Sequence, residues 1–417
     1  MTENSREFDV VVFGATGFVG VLTAKYLAEH APAGTRIALA GRNESKLEQT
    51  RASLPPAAHD WPIIVADADS PASLDAMAAR TRVVCTTVGP YLKYGEALLA
   101  AVVNAGTDYV DLTGEVPFVR FSIDKFGEQA AATGARIVHA CGYDSIPSDV
   151  GVHLLHQKIT ADGEGDLTDT TMVVKMRGGL SGGTIDSMRT IADLVRQPET
   201  RRVLTNPHAL SSGPGEVKRV SRKSEPSDAA IINAATVDPS LKGALAPFIM
   251  ASYNTRIVRR TNFLLDGVYG DRFRYAETMA VGKNPVLSRV AAGGVAAGMG
   301  GLFGGLAFKP TRAVLDRVLP KPGEGPSEKT RENGFFMHRT YTTTSTGKRY
   351  MATVAAKGDP GYKATAMILG EAALTLALDR DKLPDRKGVL TPIAAMGDAL
   401  VDRLRAAGMT LEVKQLD

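Results

Sequence analysis

A chain of 417 residues is long for one core and points to two or three domains. Its 44% hydrophobic and 23% charged residues are those of an ordinary globular protein, and a net charge of +4 is too small at this length to call for nucleic acid. The two cysteines, Cys85 and Cys141, each end an apolar strand without metal-ligand spacing, which suits buried thiols of a reducing compartment; with no apolar segment ahead of the first strand, the cytoplasm is expected.

The first element is the strand Phe8-Asp9-Val10-Val11-Val12, which runs into Phe13-Gly14-Ala15-Thr16-Gly17-Phe18-Val19-Gly20 and then a helix up to Leu27. This strand, glycine turn and helix form a dinucleotide fingerprint. Gly14 makes the tight turn, Gly17 lets backbone approach a diphosphate, and Gly20 lets helix and strand pack closely. The first-turn N–H groups, carrying roughly half a positive charge, face the phosphates. The second strand, Arg36 to Ala40, decides which dinucleotide. It ends in Gly41-Arg42-Asn43, with Ser45 and Lys46 behind, where an NAD site usually carries a carboxylate for the ribose 2′-hydroxyl. A guanidinium there donates charge-assisted bonds to a 2′-phosphate, so NADP(H) is expected.

Further strands at residues 62–66, 82–88, 108–112 and 136–141 are near-continuously apolar, with helical patterns such as Ala72 to Ala79 and Gly95 to Asn104 between them. Six such strands predict a doubly wound parallel (Rossmann) sheet over residues 1–150. In such a sheet the ligand lies beyond the carboxyl ends of the strands where their order reverses. The loop Thr87-Val88-Gly89-Pro90-Tyr91 is therefore expected at the nicotinamide ribose, and Gly142-Tyr143-Asp144-Ser145 at the same edge.

Beyond Gly151 the rhythm changes. Segments 170–176, 269–281, 335–346 and 349–355 read as antiparallel strands of a second α+β domain, residues 151–360, assigned to substrate binding and dimerisation. Ser211 to Pro226 and Pro320 to Asn333 read as mobile loops, and Gly178 to Thr184 as either an anion-binding helix start or a ligand-free turn. Arg256, Arg259 and Arg260, with Arg272 and Arg274, suit either the solvated face of a sheet or contact with a phosphopantetheine, coenzyme A or acidic carrier. Ala291 to Phe308 holds no charge and seven glycines; a buried glycine-rich hairpin is the leading reading, against a flap touching lipid or substrate, or a membrane span. Residues 361–417 carry helices at 363–378 and 392–406 and a strand at 410–413, a tail that can pack back on the first domain. The seven histidines form no HxxxH pair and no GxSxG elbow occurs, so metal and serine-hydrolase chemistry have no support.

GATGFVG, Gly41-Arg42, Thr86-Thr87-Val88-Gly89-Pro90-Tyr91, Tyr109 to Glu115, Ala140 to Asp149, Tyr253 to Arg260 and Gly388 to Pro392, in this order, resemble the saccharopine dehydrogenase-like family, and within it the mycobacterial trans-acting enoyl reductases. The resemblance spans nearly the whole chain. It implies an NADP-binding domain, a second domain over the nicotinamide, and reduction of a carbon–carbon double bond in a polyketide or fatty-acyl chain held by a carrier or synthase. That chemistry needs a donor to the carbonyl oxygen and a proton for the α-carbon. Tyr143 and Tyr91 are the neutral candidates, Lys93 and Asp144 the ionisable ones; Tyr91 equally suits capping the pocket, and Asp144 or Ser145 capping a helix begun at Pro147. Saccharopine-type imine chemistry, which wants arginines in the pocket, and NADP(H) and lipid binding without turnover are the alternatives.

Overall fold

Strand β1 (Phe8–Phe13) is buried at all six positions, which a strand covered on both faces requires. The computed structural model describes residues 6–178, 182–216, 225–317, 319 and 325–416. After β1 the chain alternates α1 (Phe18–His30), β2 (Ile37–Gly41), α2 (Glu44–Ser53), β3 (Ile63–Val65), α3 (Pro71–Ala79), β4 (Thr81–Thr86), α4 (Tyr91–Ala105), β5 (Asp108–Val110), α5 (Val116–Thr133) and β6 (Arg136–Val138). Then come α6 (Ile146–Asp162), β7 (Leu167–Arg177), α7 (Gly182–Leu194), α8 (Pro198–Thr205), β8 (Ile232–Asn233), β9 (Ala244–Pro247), α9 (Ala251–Leu264) and β10 (Arg274–Ala280). The remainder holds α10 (Pro285–Ala307), α11 (Lys309–Leu315), α12 (Glu328–Glu332), β11 (Phe335–Thr344), β12 (Arg349–Lys357), α13 (Thr365–Leu378), β13 (Gly388–Leu390), α14 (Pro392–Ala406) and β14 (Thr410–Leu416).

The first sheet runs β13-β6-β5-β4-β1-β2-β3 with every pair parallel. Chain order reverses between β1 and β4, so the crevice for a ligand opens beyond Phe13 and Thr86. Its seventh strand comes from the tail: β13 pairs with β6. The second sheet runs β14-β12-β11-β7-β10-β9-β8. Here β10 is parallel to β7 rather than antiparallel, because the connection between them is a long crossover through α7 to α9. α6 carries the chain across residue 150 onto the second sheet, where a Cβ on Gly151 would stand 3.1 Å from Thr340 Oγ1. One apolar cluster joins Val10 and Leu39 of the first sheet, Met172 and Val354 of the second and Leu369 and Leu374 of α13, so the core is shared.

Three further expectations are corrected. Residues 291–308 are no buried hairpin: 291–307 belong to α10, one continuous helix in which only Ser288, Ala292 and Leu306 are buried, and Phe308 is its extended C-cap. The Asn284 side chain accepts from the Val286 and Leu287 N–H groups, Pro285 opens the first turn, and no Pro, Asn or Asp follows before Phe308 to make a turn. Arg256, Arg259 and Arg260 lie on a helix and are buried, so neither the solvated face nor the carrier contact holds for them. They clamp the segment after α8: Arg256 donates to Leu204 O and Asn206 O, Arg259 to Pro207 O and Arg260 to Leu210 O, while Asp228 and Glu225 balance the first two. The two loops read as mobile lie partly outside the described residues, at 217–224 and 320–324. Their described ends are built in: Arg120 bonds Ser212 Oγ and Gly213 O, and residues 328–332 form α12.

Candidate active site

The glycine turn is close-packed. Gly14 sits at φ +89°, and a Cβ there would stand 2.7 Å from Val88 Cγ2; one on Gly20 would stand 2.1 Å from Gly14 O. Gly14 and Ala15 both donate to Ala40 O, fixing the turn across β2. At the N-terminus of α1, Gly17 caps without a side-chain bond and no acidic residue stands in the first turn. Those N–H groups therefore suit an anion. A dinucleotide diphosphate fits this cradle. Beside it, Thr87 N donates to Phe13 O and Thr87 Oγ1 to Gly14 O, holding the β4 loop against the turn. Arg42, Ser45 and Lys46 are exposed where β2 passes into α2, with the Asn43 side chain accepting from Lys46 N.

A cavity of about 350 Å³ opens from this edge. Gly17, Phe18 and Val19 line it with Thr87, Gly89 and Pro90; α7, α9, Phe303 of α10 and the turn at Pro360 to Tyr362 close the far side. Met176, Met188, Ile191, Phe248 and Met250 make much of that wall apolar, which suits an alkyl chain. Among the described lining residues none is an arginine. A larger cleft of about 700 Å³ lies between α1, α12 and the edge of β11 and β12, but its lining does not include the glycine turn or the β4 and β6 loops.

Tyr143, Asp144 and Tyr91 reach this cavity and Lys93 does not. Tyr143 Oη lies 3.0 Å from His338 Nε2 and 3.4 Å from Met176 Sδ, with its ring against Phe336. Burial pushes its phenol well above the ordinary value, and burial also pushes His338 down to about 3, so this pair is neutral. His338 Nδ1 has no partner among the described residues; with the proton on Nε2, His338 donates to Tyr143 and leaves the phenol proton on the weak acceptor Met176 Sδ, from which a stronger acceptor can take it. Asp144 keeps part of its surface open but is shielded from bulk water, and burial raises it to about 7 against the bond from its own N–H, with Asp111 adding to the rise. Neither Asp144 nor Ser145 caps α6 in the usual way: the Ser145 hydroxyl donates to Asn254 Oδ1. The Tyr91 hydroxyl is engaged on both sides, donating to Thr86 O and accepting from Leu112 N, so its ring is a wall. Lys93 is exposed over the Tyr94 ring, 4.7 Å from its centroid.

Sequence reasoning missed three contributors. Tyr253, on α9, lines the cavity, is 3% exposed, and its hydroxyl has no hydrogen-bond partner among the described residues. Burial, with Asp111, Asp144 and Glu115 nearby, keeps this phenol protonated. A buried orphan hydroxyl beside an empty-walled cavity is where a ligand acceptor belongs. Glu115 accepts from Tyr91 N, Leu92 N and Ser187 Oγ, tying the start of α4 to α7 and so holding the two cavity walls at a fixed spacing. His338 comes from an alternating strand that shows no chemistry in sequence. Tyr253 and Glu115 stood in motifs carrying the resemblance, which was the one available signal.

No family model matches the chain. It is 53% identical over 422 residues to a Mycobacterium tuberculosis protein provisionally named a trans-acting enoyl reductase, with both chains fully covered. It is 48% identical over 427 residues to the trans-acting enoyl reductase of Mycobacterium bovis and 46% over 433 to that of Mycobacterium ulcerans, again over the full length of each. Among solved structures, apo saccharopine dehydrogenase (L-Glu forming) from Saccharomyces cerevisiae superposes with a TM-score of 0.51 at 13% identity, covering 98% of this chain and 99% of the other. The homospermidine synthase of Legionella pneumophila, solved with NAD, gives 0.50 at 11% over 99% and 92%.

Proposed function

Because the chain belongs to the trans-acting enoyl reductase family and is an oxidoreductase of saccharopine dehydrogenase-like fold, we propose that it uses NADPH to reduce a carbon–carbon double bond in a polyketide or fatty-acyl chain presented by a carrier or synthase. One observation carries the reading: the close-packed glycine turn and the buried donors Tyr143 and Tyr253 border one largely apolar cavity. The first turn of α1 would hold the diphosphate, with Ala15, Thr16 and Val88 shaping its cradle, and Arg42, Ser45 and Lys46 would hold the 2′-phosphate. When bound, NADPH supplies a hydride. The chain's own task is the oxygen and the proton. Tyr253 and His338-backed Tyr143 donate to the thioester carbonyl oxygen, where charge builds as the double bond is reduced. Asp144, near half-protonated at neutral pH, delivers a proton to the α-carbon. The absence of a guanidinium among the described lining residues disfavours saccharopine-type recognition of α-carboxylates.

Anaerobic mixing with NADPH and a panel of enoyl thioesters tests this. Loss of the reduced-nicotinamide absorbance is expected with acyl enoyl thioesters; no oxidation by any of them overturns the enoyl reductase reading, and binding of NADPH with no oxidation by any acyl or imine acceptor leaves a binding protein. Arg42→Ala should raise KM for NADPH far more than for NADH, and equal effects would remove the 2′-phosphate role.

A further inference from the structure

Helix α10 presents a face that no described part of the chain covers. Val286, Leu287 and Val290 are 70, 69 and 71% exposed at one end, and Phe308 and Val314 are 58 and 61% exposed at and beyond the other. Between them Gly294, Gly298, Gly301 and Gly304 have nothing within 4 Å of where a Cβ would be, so no contact inside the described chain requires them to be glycine. At 23 residues, with a mean hydropathy of 1.5 over its most apolar 18, it is, among the described residues, the one helix long and apolar enough to cross a membrane. Yet it is held flat. Ser288 Oγ accepts from Ala244 N, Ala292 packs on Ala244 and Ala246 of β9, and Leu306 packs on Ile185 and Met188 of α7.

Charge says what covers that face. From Thr278 to Leu315 there is no acidic residue, while Lys283 and Arg289 stand at one end and Lys309 at the other; Arg312 is paired with Asp193 of α7. A second copy laid along this helix in either direction would set Lys283 and Arg289 against one another or against Lys309, and the helix itself supplies no carboxylate between them. An anionic surface meets both the apolar face and the basic ends. The helix also reaches the cavity: Phe303 is one of its lining residues.

We propose that α10 docks the protein on an anionic lipid bilayer, with Val286, Leu287, Val290 and Phe308 entering the boundary between headgroups and acyl chains. The bulky anchors are about 30 Å apart along the helix, so the two ends grip separately while the glycine strip lies flat between them. This docking does not depend on turnover.

The test is flotation of the full chain with phosphatidylcholine vesicles, with and without phosphatidylglycerol. The protein is expected to float with the anionic vesicles roughly tenfold or more above the neutral ones, and high salt should reduce this. The double variant Val290→Glu/Phe308→Glu, at exposed positions outside the cavity lining, should lose flotation while keeping its circular dichroism and NADPH binding. Equal flotation of the variant, or none of the wild type on either vesicle, overturns the proposal. So does a wild-type dimer that the variant converts to monomer, since a second copy would then cover the face. Vesicle binding in a protein that oxidises no NADPH would sustain the docking and sink the enzymatic reading.

Discussion

Two tyrosines in the cavity have opposite hydrogen-bonding states, and this separates their roles. The Tyr143 hydroxyl is bonded to His338 and touches Met176, whereas that of Tyr253 is buried with no partner. Removing a bonded hydroxyl strands its partner; removing an orphan relieves a desolvation cost of about 1–3 kcal/mol. Tyr253→Phe is therefore expected to hold or raise the thermal midpoint while lowering kcat on an enoyl thioester by roughly a hundredfold, as loss of one preorganised donor does. Tyr143→Phe should lower both stability and kcat. Unfolding curves and steady-state kinetics on the two variants check this; full turnover in Tyr253→Phe would return its orphan hydroxyl to the status of a packing defect. Tyr143 and Asp144 were legible in sequence because the end of a predicted strand marks the sheet edge. Tyr253 and His338 were not, because only the folded chain brings Tyr253, 110 positions from Tyr143, to the same wall and sets His338, 195 positions away, behind Tyr143.

Glycine means different things in two helices of this chain. In α1, Gly20 has backbone oxygen where a Cβ would go; in α10, Gly298 has open space. Gly20→Ala must push the turn at Gly14 apart and should both destabilise the protein and weaken NADPH binding at least tenfold. Gly298→Ala should stabilise by up to about 1 kcal/mol, since it only removes backbone entropy from the unfolded chain. Urea unfolding and NADPH titration of the two variants give the comparison, and destabilisation by Gly298→Ala would mean that something packs on that strip in solution. The first case was readable from sequence because strand, turn and helix are contiguous. The second was not: composition shows seven glycines in an uncharged run but not which side of the molecule they face, and helix or hairpin turned on the cap at Asn284. β13 escaped notice for a related reason, three residues being too few to show a period.

At the scale of the molecule, the tail joins the halves, β13 completing the parallel sheet and β14 the mixed one, so buried charges in either half act on one shared stability. Burial raises Asp108, Glu115 and Asp359, and three further carboxylic acids are held higher still. Burial raises Glu277 to about 8 against bonds from Ser148, Asn254 and Tyr275, and raises Asp149 to about 7 against Thr261 and Ile393, with Asp144 also near 7. Each binds a proton in the folded chain over a range where the unfolded chain has released it. Their contribution is complete below the ordinary carboxylate values and is lost as pH rises through about 7 to 8. Other carboxylates act in the opposite direction: burial pushes Asp9 and Asp379 up, but Arg36 with Arg82, and Arg403 with Lys382, outweigh it and hold them low. Their stabilisation is present above the ordinary value and is lost as pH falls through the depressed one. Stability should therefore peak in mildly acid solution and decline toward alkaline pH. Glu277→Gln carries the test, because a permanently neutral side chain cannot lose a proton. Its thermal midpoint should fall less than that of the wild type between pH 5.5 and pH 8.5, by an amount equivalent to about 1.4 kcal/mol for each unit by which Glu277 is raised, as an upper bound. Parallel curves for the two proteins would mean that Glu277 is not the group that titrates.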